Sequence, residues 1–275
     1  NVERGEQVHY LQFDQQDFAI RDLAVSSDRR WFATVESWNG RASDRPCKVT
    51  VRDAETGQIQ QEFERPPAAL LWSVAIHPSG DRVAFSGRDE KVEVVRLADG
   101  EQLFWIRAAV ADLAFSPDGR LLATASQEQR PGHVDLWNAE TGKYVRNLII
   151  GAYGYPSSVT KIAISPDGRF LAGACQHNNH AADFVTVWDL ATGAPKYTLH
   201  GHSREITALA FHPDGIRLVS AAKDESLILW DMDLGQRILT LSSAVGEISC
   251  VEFSPDGNLL AALGPQGLQL WDAPR

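Results

Sequence analysis

The chain lacks the features that would place it in several large classes. None of its apolar runs approaches the about 18 residues that a membrane-crossing helix needs. The opening Asn1-Val2-Glu3-Arg4-Gly5-Glu6 carries no basic-then-apolar leader. It has no initiator Met either, so the segment reads as a piece of a longer or processed chain, with other domains of that parent chain as expected partners. Lys and Arg form no dense cluster and the formal net charge is −10. Phosphate affinity needs basic charge, so no nucleic-acid partner is expected. Only three cysteines occur, Cys47, Cys175 and Cys250, widely spaced. That fits neither a disulfide framework nor a paired-thiolate zinc site, and all three read as small buried apolar residues. There is no Gly-x-Ser-x-Gly elbow, no phosphate-binding Walker loop and no Cys–His pair at a recognisable spacing. The expectation from these absences is a cytoplasmic, non-catalytic chain with no cofactor and no membrane partner.

What is present is a globular mixture, 44% apolar and 23% charged over 275 residues, arranged in repeats. One phrase recurs as Val74-Ala75-Ile76-His77-Pro78-Ser79-Gly80, Leu113 to Gly119, Ile162 to Gly168, Leu209 to Gly215 and Val251 to Gly257, with a degenerate Leu23-Ala24-Val25-Ser26-Ser27-Asp28 in front. Each is a short alternating strand running into a turn. Pro presets φ, Asp bonds nearby backbone, and Gly takes φ > 0. A second phrase follows each time, at Val49–Asp53, Val92–Arg96, Val134–Asn138, Val185–Asp189, Leu227–Asp231 and Leu268–Asp272, with period-two alternation. In five of the six a turn ending in Gly comes next. Each unit therefore reads as four strands, a to d, and no stretch has a helical period. The repeat of about 46 residues falls in the range of four-stranded propeller blades.

At these residues the chain resembles the WD-repeat β-propeller family over nearly its whole length. The fifth unit matches best, with Gly201-His202, Phe211-His212-Pro213-Asp214-Gly215 and Trp230-Asp231. The resemblance implies that His202, Ser220, Asp224 and Trp230 form one structural hydrogen-bonded set within the blade. The first two units depart from the pattern, with Arg52 and Val95 where Trp belongs, and only the fifth has the His. The other blades are therefore expected to be held mainly by packing.

The last unit ends at Trp271-Asp272 without a strand d, while Gly5-Glu6-Gln7-Val8-His9-Tyr10-Leu11 resembles the strand d that starts at Gly100. Pairing residues 7–13 with Leu268–Trp271 closes a ring and removes two open edges. The fold expectation is thus all-β, a single domain over 1–275, a six-bladed β-propeller of four-stranded antiparallel blades closed by the N-terminal strand. A seventh degenerate blade, or a fragment of a longer array, are the alternatives.

Spacing separates the two ends of the blades. From Trp, or its equivalent, to the turn Gly is five residues each time, as from Arg52 to Gly57 and from Trp230 to Gly235. The b–c side, from mid-strand b to the Trp position, varies from 9 residues (Ala262 to Trp271) to 18 (Thr34 to Arg52). The d–a side, from turn Gly to the next turn Pro, varies from 17 to 24. Variable loops on a rigid scaffold usually carry binding, and Trp and Tyr dominate interface hot spots. The expected partner is a protein or peptide on the b–c and d–a side. The candidate contacts are Trp38, Trp72, Tyr153, Tyr155, Arg204 and Glu205, with Arg21, Asp112, Lys161 and Glu247 around the tunnel mouth.

Two sets of residues bear on sharper chemistries. His177, His180 and Asp183 have metal-ligand types, but no rigid element sets their geometry, so the segment reads as a solvated polar loop with no metal. A metal-dependent six-bladed hydrolase acting at the tunnel mouth is the functional alternative. The strand-a entrances offer only Asp22, Asp112 and Lys161 as charged groups beside Arg21, short of the six or more oxygens of a calcium set. Trp72 with Asp22 and Asp112 is the candidate for a cation-binding mouth, against Trp72 simply packing between blades.

Overall fold

The computed structural model describes residues 18–38, 46–126, 132–150, 157–177 and 183–272, without the side chains of 18, 38, 157 and 177. The chain divides into two compact units, Asn1–Leu113 and Ala114–Arg275. The first holds sheet one, β1 (Phe18–Val25), β2 (Trp31–Trp38), β3 (Cys47–Asp53) and β4 (Ile59–Arg65), and sheet two, β5 (Leu71–Ile76), β6 (Arg82–Gly87), β7 (Lys91–Arg96) and β8 (Gln102–Arg107). The division falls inside β9 (Val110–Phe115), which opens sheet three with β10 (Leu121–Ser126), β11 (His133–Asn138) and β12 (Tyr144–Ile149). The second unit adds sheet four, β13 (Ser157–Ile164), β14 (Phe170–His177), β15 (Phe184–Asp189) and β16 (Pro195–His200). Sheet five is β17 (Ile206–Phe211), β18 (Arg217–Ala222), β19 (Ser226–Asp231) and β20 (Gln236–Ser242), and sheet six is β21 (Cys250–Phe253), β22 (Leu259–Gly264) and β23 (Gly267–Asp272). Every sheet is an antiparallel meander in chain order, and the architecture is the six-bladed β-propeller. Sheet six has three strands among the described residues; the expected fourth, residues 7–13 on Leu268–Trp271, lies outside them.

The turn chemistry explains why the phrases recur. In the a–b turns the Ser116 hydroxyl donates to Asp118 Oδ1 at 2.6 Å and accepts the Leu121 amide at 2.9 Å. The same lock closes at Ser26–Asp28–Trp31 and Ser165–Asp167–Phe170. Gly119 and Gly168 sit at φ +70 and +71 to complete it. The first unit has no Gly there, and Arg29 occupies the left-handed region at φ 60. An L side chain in that region costs about 1–2 kcal/mol. The Asp of each Trp-Asp phrase does a second job. Asp189 Oδ1 accepts the Thr192 amide at 2.8 Å, and Asp53, Asn138 and Asp231 cap their c–d turns in the same way.

Alternation then fills the spaces between sheets. Val35, Val49, Val51, Val74, Val83 and Phe85 form one buried cluster between sheets one and two. Phe170, Val185, Val187, Leu218, Ile228 and Trp230 form another between sheets four and five, and Val219, Leu227, Val251 and Leu260 a third between five and six. Cys47, in the first of these layers, and Cys175 are free and buried, as read from sequence; burial pushes the Cys175 thiol up to about 12. Cys250 is a correction. It is exposed, because it stands on the face of sheet six turned away from sheet five.

Candidate functional site

The fifth blade brings four separated residues together. His202 lies in the loop between β16 and β17, Ser220 on β18, Asp224 in the β18–β19 turn and Trp230 on β19. The Trp230 indole N–H donates to Ser220 Oγ at 2.8 Å, and Ser220 Oγ is 2.8 Å from His202 Nε2. His202 Nδ1 is 3.1 Å from Asp224 Oδ2. A carboxylate only accepts and an indole only donates, so a neutral imidazole protonated at Nδ1 satisfies every link. Asp224 also accepts the Ser203 amide at 2.8 Å and the Ser226 hydroxyl at 2.6 Å. Burial would raise its pKa; the Ser226 hydroxyl, the Ser203 amide and His202 outweigh this and hold it below the ordinary carboxylate value.

In connectivity this is a Ser–His–Asp chain of the kind that activates a nucleophile. Its environment gives it a different role. Ser220 is fully buried, His202 is 2% exposed, and the serine oxygen is already occupied by the indole. The set ties strands b and c to the incoming loop and offers no attacking atom to a substrate.

Beside the packing expected of the other blades, specific hydrogen bonds occur within and between them. In blade three the Trp137 indole donates to Thr124 Oγ1 at 3.0 Å. In blade four Gly173 replaces the strand-b hydroxyl, since a Cβ there would stand 2.9 Å from the Trp188 ring, and the indole donates instead to Ile149 O at 3.1 Å. Blade two has Val95 at the strand-c Trp position, and an arginine of blade one reaches into it. Arg65, at the end of β4, is buried; its Nη1 is 2.6 Å from Asp89 Oδ2 and its Nε 3.3 Å from Glu93 Oε2. Sequence reasoning missed Arg65, because its partners lie 24 and 28 positions away in the next repeat.

The strand-a entrances are the second constellation. Pairing skips a residue between Ile20 and Asp22, Leu71 and Ser73, Val159 and Lys161, and Ile206 and Ala208. These bulges re-aim the side chains of Arg21, Trp72, Thr160 and Thr207. Trp72 is half-buried and its indole donates to Val110 O at 2.6 Å; Thr207 Oγ1 donates to Ile248 O at 2.5 Å, the equivalent carbonyl one blade on. Asp22 Oδ2 accepts the Val74 amide at 2.8 Å, and buried Asp112 accepts the Ser73 hydroxyl at 3.1 Å. Of the two readings the sequence left open for Trp72, these contacts favour packing between blades over a cation-binding mouth with Asp22 and Asp112. All three are turned onto neighbouring strands, where they satisfy backbone and hydroxyl groups.

The remaining candidates divide by exposure. Arg21 is exposed and Lys161 half-buried. Exposed Arg204 reaches Glu247 at 3.2 Å and the Lys223 carbonyl at 3.3 Å, and Glu205 holds Lys223 at 2.6 Å. These pairs join the loops flanking blades five and six at their surface. Trp38 ends β2. Its side chain, Tyr153, Tyr155 and His180 lie outside the described residues, as does the His177 side chain. Asp183 is buried and accepts the Ile206 amide at 3.3 Å, so its carboxylate braces blade four against blade five. Among the described residues no group of three or more His, Cys, Asp or Glu is placed to hold a metal ion.

Repeated a-to-d meanders, Asp-capped c–d turns and the His–Ser–Asp–Trp set define a repeat β-propeller. The chain belongs to the WD-repeat β-propeller family: the WD domain, G-beta repeat profile matches residues 144–189, 193–231 and 235–272, and the Anaphase-promoting complex subunit 4 WD40 domain profile matches 72–154. It is 27% identical over 120 residues to Anaphase-promoting complex subunit cdh1 of Dictyostelium discoideum, covering 44% of this chain and 15% of that protein. It is 27% identical over 159 residues to WD repeat-containing protein SL1-17 of Schistosoma mansoni, covering 56% and 48%. It is 31% identical over 117 residues to Coronin-7 of Mus musculus, covering 42% and 12%. The chain thus spans less than half the length of each of these relatives.

Proposed function

We propose that this chain is a protein-interaction scaffold without chemistry of its own, binding a protein or peptide at the blade ends that carry the b–c and d–a loops. One observation carries the reading. The c–d turns hold a fixed five-residue spacing from the Trp position to Gly and are capped by Asp–amide bonds, and the a–b turns are short Pro-Asp-Gly-type turns closed by Ser–Asp bonds, whereas all length variation falls on the b–c and d–a loops. A rigid frame with variation at one end is how binding loops are commonly mounted. One relative is, by its name, a subunit of a multiprotein complex, which supports assembly as the role. The hydrolase alternative gains nothing from Asp22 and Asp112, whose carboxylates serve neighbouring strands.

Trp38, Tyr153 and Tyr155 are the proposed aromatic anchors, with Arg21, Lys161, Arg204, Glu205 and Glu247 as the charged surround. The test is a binding titration against a partner captured with the intact protein. Truncating an aromatic hot spot costs at least about 2 kcal/mol, so Trp38→Ala or Tyr155→Ala should weaken binding about thirtyfold. Glu55→Lys and Asp167→Lys, at the turn end, should change it little. The opposite pattern would reject the assignment.

A further inference from the structure

We draw no further inference here: the strongest candidate, the apolar face of sheet six on which Leu263, Leu268 and Leu270 stand exposed beside Glu252, is an unpartnered surface among the described residues, and nothing in the structure shows what covers it.

Discussion

Replacing Asp224 by alanine probes the fifth-blade network at its most connected member. The carboxylate accepts from His202 Nδ1, the Ser203 amide and the Ser226 hydroxyl. Of these, the His202 donor is the one that water cannot reach, since its side chain is 1% exposed. A buried donor left unmade costs about 1–3 kcal/mol, and the two more exposed bonds add less. For a chain of this size each kcal/mol moves Tm by about 2–4 °C, so Asp224→Ala should lower Tm by roughly 2–12 °C. Thermal and urea unfolding followed by tryptophan fluorescence would read it. In a double-mutant cycle, His202→Ala in the Asp224→Ala background should cost much less than His202→Ala alone, because the donor is already stranded. Strict additivity, or an unchanged Tm for Asp224→Ala, would refute the network. The pH dependence has a definite sign. Asp224 has a lowered pKa in the folded protein, so its contribution is present above the unfolded value of about 3.9 and is lost as pH falls through the lower folded value. Asp224→Asn should remove that part of the acid destabilisation below about pH 4.

Further outcomes follow from other contacts. Asp89→Ala takes the nearest partner from buried Arg65 and should cost about 1–3 kcal/mol in urea unfolding; a near-zero cost would show that Glu93 suffices. Arg29→Gly relieves a left-handed side chain and should leave stability unchanged or raise it by up to about 1 kcal/mol, whereas Gly168→Ala at the same turn position should lower it. Trp72→Phe keeps an aromatic body but drops the bond to Val110 O, and a loss of about 1 kcal/mol is expected; no loss would mean the indole is held by packing alone. Deleting residues 1–13 should cost several kcal/mol and promote aggregation if they supply the strand d that sheet six otherwise lacks, and an unchanged Tm would reject that pairing.

The blades were legible because period-two alternation and Pro-Asp-Gly turns are local: strand, turn and Gly φ are set within a few residues. The fifth-blade set was readable for a related reason, since His202, Ser220, Asp224 and Trp230 match a family pattern residue by residue. The interblade bonds were not legible. Trp72 to Val110, Thr207 to Ile248 and Arg65 to Asp89 depend on bulges and on which neighbour a side chain meets, and neither shows in hydrophobic period. Asp22 and Asp112 read as candidates for a cation-binding mouth because sequence shows a carboxylate's position in a strand but not the amide or hydroxyl opposite it.

The central claim is that partners engage the b–c and d–a ends of the blades. Hydrogen–deuterium exchange of the intact protein, with and without a captured partner, tests it most directly. The account predicts slowed exchange in loop segments such as 66–70, 88–90, 201–205, 223–225 and 243–249, with the turns at 53–57, 138–142 and 189–193 unchanged. Protection confined to those turns, with the loops unaffected, would contradict it.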